Sequence, residues 1–109
     1  MSKPIAKDII DNNFNQQKGS FLYFLQDKSV FDKNSFKEML EAFKSAADDE
    51  VGISRTAQQI NYIYGRALKC FMYHFDKNDK YKITDLPENY NKMIEILDKA
   101  IDYYFKTRI

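Results

Sequence analysis

The only cysteine and the only histidine of the chain are the first residues to consider for chemistry. Cys70 and His74 stand four positions apart, so on a helix their side chains point in similar directions. Such a pair could give a zinc ion two ligands, whereas a zinc site usually takes three or four ligands from the protein. The sequence therefore favours a packed thiol and a hydrogen-bonded imidazole, and we expect no metal and no cofactor.

Arg66 and His74 suggest a second chemistry, the cleavage of RNA. A histidine can move a proton, and an arginine can stabilise the charge of a phosphorane-like transition state. The pair resembles the motif of HEPN-type helical ribonucleases, in which four to six residues separate the arginine from the histidine. Here seven residues intervene, which turns the two side chains about 80° apart around a helix. The resemblance implies a helical ribonuclease as the alternative to a protein that is not an enzyme.

The segment that begins at Asp76 resembles the calcium-binding loop of an EF-hand. It reads D-K-N-D-K-Y-K-I-T-D-L-P-E, with Asp76 at the first ligand position. Lys80 then stands where calcium needs an oxygen ligand, Tyr81 where the turn needs glycine, and Pro87 where a bidentate glutamate is needed. These substitutions favour a solvent-exposed connection between helices over a calcium site.

A stripe of polar and aromatic residues on the stretch Ser54 to Phe75 is the strongest candidate for a binding site. The stripe recurs at spacings of four and three and consists of Arg55, Gln59, Tyr62, Arg66, Lys69 and Tyr73. Tyrosine and arginine are enriched at binding hot spots, because each gives a large contact area with a polar end. We expect the stripe to bind a protein that carries acidic groups, with RNA as the second candidate partner.

Two other interpretations of the stripe stay open. The N-terminal segment could cover Tyr62 and Tyr73, or both rings could be solvated, with the stems of arginine and lysine lying over them. The opposite side of the same stretch is apolar and is predicted to face the core; it comprises Ile60, Ile63, Tyr64, Ala67, Leu68, Phe71 and Phe75.

Helical periodicity defines the elements that would position these residues. The predicted helices span residues 4–27, 35–48, 54–75 and 86–106. The first begins near Pro4 and either continues through Gly19 or restarts at Ser20. Capping boxes are predicted to open the second helix at Ser35 and the last helix at Asp85, and Gly52 introduces the third.

The composition of the 109 residues supports an all-α fold. Hydrophobic residues make up 44% of the chain, 17 residues are phenylalanine or tyrosine, and there are only 3 glycines and 2 prolines. This composition disfavours disorder and disfavours a β fold with many tight turns. We predict one domain, residues 1–109, built as an antiparallel bundle of four or five helices, with helix 54–75 packed between the second and last helices and Phe71 in the core.

The remaining features narrow the class of protein. A single cysteine cannot form an internal disulfide, and neither a signal peptide nor a membrane-spanning stretch is present, so we expect a cytoplasmic protein without a membrane partner. Lysine outnumbers arginine 14 to 3, which hints at a bacterial or phage source.

In size and helical layout, though through no specific motif, the predicted bundle is similar to small immunity and inhibitor proteins, including four-helix bacteriocin immunity proteins. The likeness implies a non-catalytic binder with an inhibitor, immunity or anti-defence role. A homodimer or larger homo-oligomer that hides the tyrosines is a further alternative.

Overall fold

The computed structural model describes residues 5–48 and 53–107, and these residues form an all-α helical bundle. The predicted fold class is therefore confirmed. The helices are α1 (Ala6–Phe14), α2 (Phe21–Asp27), α3 (Lys33–Asp48), α4 (Ile53–Phe75) and α5 (Tyr90–Thr107). Among the described residues, the one β-type contact is an isolated parallel bridge between Val30 and Thr84.

The first predicted helix is two helices, because the chain turns between Phe14 and Ser20. Gly19 has a φ of 95°, a conformation that glycine adopts without a steric penalty. Ser20 is extended, and its Oγ accepts a hydrogen bond from the Tyr23 amide at 3.2 Å, which caps α2. Of the two alternatives for this region, the structure shows the restart at Ser20, whereas Pro4 and Gly52 lie outside the described residues.

Both predicted capping boxes are wrong in position. Helix α3 begins at Lys33, because Asp32 caps it: Asp32 Oδ2 accepts a hydrogen bond from the Ser35 amide at 2.8 Å. Helix α5 begins only at Tyr90. Asp85 has a φ of 61°, whereas a helix N-cap is normally extended, so Asp85 cannot open this helix.

Helix α1 holds a more central place than its asparagine-rich sequence indicated. It packs against α3 and α4, while the close neighbours of α4 are α1, α2 and α5. The prediction that the third predicted helix packs against the second and the last is thus right only for the last. Asn13 makes this arrangement possible: it is buried, but its Nδ2 donates to the Ile9 carbonyl at 3.0 Å and its Oδ1 accepts from the Leu22 amide at 3.1 Å.

The hydrophobic core draws on all five helices and on the segments between them. From the predicted apolar side of α4, Ile60, Ile63, Ala67 and Phe71 are buried as expected. Phe75 is 48% exposed and packs against Tyr90 with ring centroids 4.8 Å apart. The apolar side of α4 is therefore only partly covered at its C-terminal end, where the first residue of α5 contacts Phe75.

Candidate partner-binding face of helix α4

The structure divides the predicted stripe into exposed and covered members. Four of its six side chains are exposed: Arg55, Tyr62, Lys69 and Tyr73. Arg66 is half-buried and Gln59 is 3% exposed. On a helical wheel centred on Lys69, Arg66 lies at about 60° and Gln59 at about 80°. The two covered residues are thus at the edge of the stripe that faces α1 and α2.

Gln59 is a structural residue, and its place on an exposed stripe is a wrong prediction. Its Nε2 donates a hydrogen bond to Asp11 Oδ1 at 2.8 Å, which ties α4 to α1. Glutamine is a polar residue type and stood in phase with the exposed residues. The sequence pattern did not reveal that α1 packs over this position.

Tyr62 and Arg66 each have one side covered and one side free. The Tyr62 ring stands edge-on to Phe14, with centroids 5.1 Å apart, and remains 48% exposed. The Arg66 guanidinium meets the amide of Gln26, which accepts from Nε at 2.9 Å and from Nη2 at 3.3 Å when its oxygen faces the arginine. Of the interpretations left open, cover of the tyrosines by the N-terminal segment applies to one edge of Tyr62.

A continuous exposed surface remains along the side of α4 that turns away from the bundle. We call it the outer face; its members are the exposed residues Arg55, Gln58, Tyr62, Lys69, Met72 and Tyr73 together with the half-buried Gly65. Met72 is 68% exposed and Tyr73 is 45% exposed. Met72 and Gly65 were not among the predicted site residues, although the spacing to Lys69 places both within about 60° of it on the wheel.

The charge of α4 has one sign. Its 23 residues include Arg55, Arg66 and Lys69 but no aspartate or glutamate. By contrast, the other two long helices mix acidic and basic residues along their length. The outer face therefore presents cations and large apolar groups with no acidic side chain of α4 between them.

Gly65 lies in the middle of the outer face, between Tyr62 and Lys69. A glycine inside a helix destabilises it by about 0.5–1 kcal/mol relative to alanine. A Cβ atom added at Gly65 would meet nothing within 4 Å, so packing within the described part of the chain does not require the glycine. Its effect on the surface is a shallow gap where another molecule can approach the helix backbone.

Cys70 and His74 contact other parts of the fold on the covered side of α4. Burial raises the pKa of the Cys70 thiol, although Tyr81, Arg66 and Gln26 lower it in part. A buried thiol with a raised pKa is a poor nucleophile at neutral pH.

His74 holds the segment after α4 in place. Its Nδ1 accepts a hydrogen bond from the Ile83 amide at 2.8 Å, and the Lys82 ammonium donates to the His74 carbonyl at 2.9 Å. Burial, and secondarily the charge of Lys82, lower the pKa of His74. Arg66 and His74 thus contact different parts of the chain: Arg66 meets α2, and His74 meets the segment before α5.

The described residues lack a metal centre and a membrane-spanning helix. Within residues 5–48 and 53–107, no three histidine, cysteine, aspartate or glutamate side chains gather closely enough to hold a metal ion. In the same ranges, no helix combines the length and the apolar character that a bilayer crossing needs.

Comparison of the chain with protein-family models, curated proteins and solved structures gives no match.

Proposed function

We propose that the chain is a non-catalytic binding module whose outer face docks on an acidic, partly apolar surface of another protein. The observation that carries the proposal is the combination of exposed Met72 and Tyr73 with Lys69 on a helix that has no acidic residue. Aromatic residues and methionine are enriched at protein interfaces. Cations on the same surface steer an acidic partner and fix its orientation.

Gly65 adds an independent reason to place the contact on this face. The glycine costs helix stability and fills no packing requirement within the described residues. A partner that approaches the α4 backbone at this gap would bury Tyr62 and Lys69 on either side of it. The two tyrosines would then act as anchors, since each has one polar end and a rigid ring.

The experiment is an affinity capture from the source cell with wild type and with the double variant Lys69→Glu/Tyr73→Ala. Both positions are exposed, so the variant is expected to fold as wild type does, which a thermal melt checks. We expect wild type to retain a specific protein and the variant to lose it. Binding should also weaken as salt rises, because exposed charges are screened.

Lys92→Glu/Ile96→Ala on α5 is the matched control. It makes the same change of charge and a comparable apolar truncation, since Ile96 is 42% exposed and Tyr73 is 45% exposed. The control should retain the partner. Equal retention by both double variants, or capture of no protein by wild type, contradicts the proposal.

The finer role within this proposal is that of an inhibitor, immunity or anti-defence protein that acts in the cytoplasm of a bacterial or phage-infected cell. A small domain with a net charge of +1 suits a role in which binding itself is the activity. The competing homo-oligomer proposal places the same tyrosines in an interface between copies. Sedimentation over a range of concentrations separates the two, because only the homo-oligomer changes mass with concentration.

A further inference from the structure

A groove between α3 and α5 lies outside the outer face of α4. Its volume is about 480 Å³, and its lining residues are Leu40, Glu41, Lys44, Lys99, Ala100 and Tyr103. Leu40 and Ala100 are partly buried and pack on the core. The Tyr103 hydroxyl donates a hydrogen bond to Asp48, which holds its ring as one wall. The groove thus has an apolar floor and one fixed aromatic side.

The charges at the rim of the groove favour an anion. Lys44 and Lys99 are exposed on opposite helices, and neither ammonium lies within ion-pair distance of a carboxylate among the residues that the structure describes. Glu41 is the one acidic residue of the lining, so the rim carries a net charge of +1. An anionic group between the two lysines would gain from both ammonium groups.

The length of the groove favours a small molecule over a helix. Its lining residues fall between 40 and 44 on α3 and between 99 and 103 on α5, which is about one turn, or about 6 Å, along each axis. An amphipathic helix that docks in a groove uses anchors spread over two turns or more. Small-molecule sites have volumes of about 300–1,000 Å³ and combine apolar walls with few polar groups.

We propose that the groove between α3 and α5 binds a small anion with an apolar body, of the aryl or short alkyl carboxylate or sulfonate class. The apolar body lies over Leu40 and Ala100 and against the Tyr103 ring. The anionic group lies between Lys44 and Lys99. This site is separate from the outer face of α4, so it stands or falls independently of the proposed protein partner.

The test is a fluorescence titration of the full chain with 8-anilinonaphthalene-1-sulfonate. We expect saturable binding at one site for wild type. Lys44→Gln/Lys99→Gln should weaken binding about three- to tenfold, the range that two exposed ion pairs support. Glu41→Gln should tighten it, since it removes the acidic charge of the groove lining. Lys92→Gln, an exposed change on α5 outside the groove, should leave the affinity unchanged.

A further variant tests the apolar floor. Ala100→Phe should abolish binding, because the added ring fills the groove, and a thermal melt checks that the variant is folded. The proposal is overturned if wild type shows no saturable binding, or if the lysine double variant and Glu41→Gln bind with the same affinity as wild type. Loss in Ala100→Phe alone would also overturn it, because an apolar site without preference for an anion would behave in that way.

Discussion

At the scale of single residues, His74 couples the stability of the fold to pH. Its Nδ1 accepts a hydrogen bond from the Ile83 amide, so the folded protein needs the neutral imidazole. Burial and the nearby Lys82 lower the pKa of His74 in the folded state. Between this lowered pKa and the ordinary value near 6.5, the unfolded chain binds more protons than the folded one. Stability is therefore complete above about pH 6.5 and falls as the pH drops below it.

Urea unfolding between pH 5.5 and 7.5 measures this effect. His74→Asn is the control, because its Oδ1 can replace Nδ1 as the acceptor but does not titrate. We expect the free energy of unfolding of wild type to rise from pH 5.5 to about pH 6.5 and to level off above it, and that of the variant to stay nearly level throughout. A slope of equal size in both proteins would mean that other groups cause the pH dependence.

The two described glycines predict opposite effects of the same substitution. Gly65→Ala should stabilise the fold by about 0.5–1 kcal/mol, because the site is helical and a Cβ there meets nothing within 4 Å. Gly19→Ala should destabilise it by about 1 kcal/mol or more, because its φ of 95° strains any residue with a Cβ. Chemical denaturation of both variants gives the two signs, and a destabilising Gly65→Ala would show that the helix is crowded at that point.

At the scale of helices, the packing of α1 depends on the buried side-chain amide of Asn13. Asn13 links the end of α1 to the start of α2 through its bonds to Ile9 and Leu22. Asn13→Ala should cost about 1–3 kcal/mol, because it leaves the Leu22 amide buried without its acceptor. Asn12→Ala, an exposed change one residue away, should stay within about 0.5 kcal/mol of wild type. Equal costs in urea unfolding would mean that only the helix propensity of α1 matters.

The sequence predicted helix starts less accurately than it predicted the helices themselves. The sequence left a restart at Ser20 as one of two alternatives, and the positive φ of Gly19 decides in its favour. Ser35 and Asp85 matched the spacing of a capping box equally well. The helix predicted to begin at Ser35 is capped by Asp32, about one turn earlier. Asp85 cannot cap the last helix, because its backbone is left-handed. A cap depends on backbone geometry, which spacing alone does not determine.

At the scale of the whole molecule, packing decides which predicted site residues stay available. Periodicity found the long helix and its two sides, and on its polar side Arg55, Lys69 and Tyr73 are exposed. Gln59 was misplaced because the neighbour that covers it, α1, is 48 residues away in sequence. Met72 was assigned to neither side of the helix, and its 68% exposure shows only in the packed structure. Whether the surface binds a partner stays a prediction.

Phe71 and Phe75 differ in burial, and substituting each of them measures how far the core extends along α4. Both belong to the predicted apolar side of the same helix, four residues apart. Phe71 is 4% exposed and approaches the Phe31 ring at 6.5 Å. Phe75 is 48% exposed and packs mainly on Tyr90 and the His74 ring.

Phe71→Ala should therefore destabilise the protein by about 3–5 kcal/mol, because it removes a buried ring and leaves a cavity. Phe75→Ala removes the same atoms from a half-solvated site and should cost clearly less, about 1–2 kcal/mol, because only about half of the ring's surface is buried and little cavity is left. Thermal and urea unfolding of both variants compare the two costs directly. If Phe75→Ala proved as costly as Phe71→Ala, the end of α4 would be part of the core, and the exposed surface around Met72 would have to be smaller than the structure indicates.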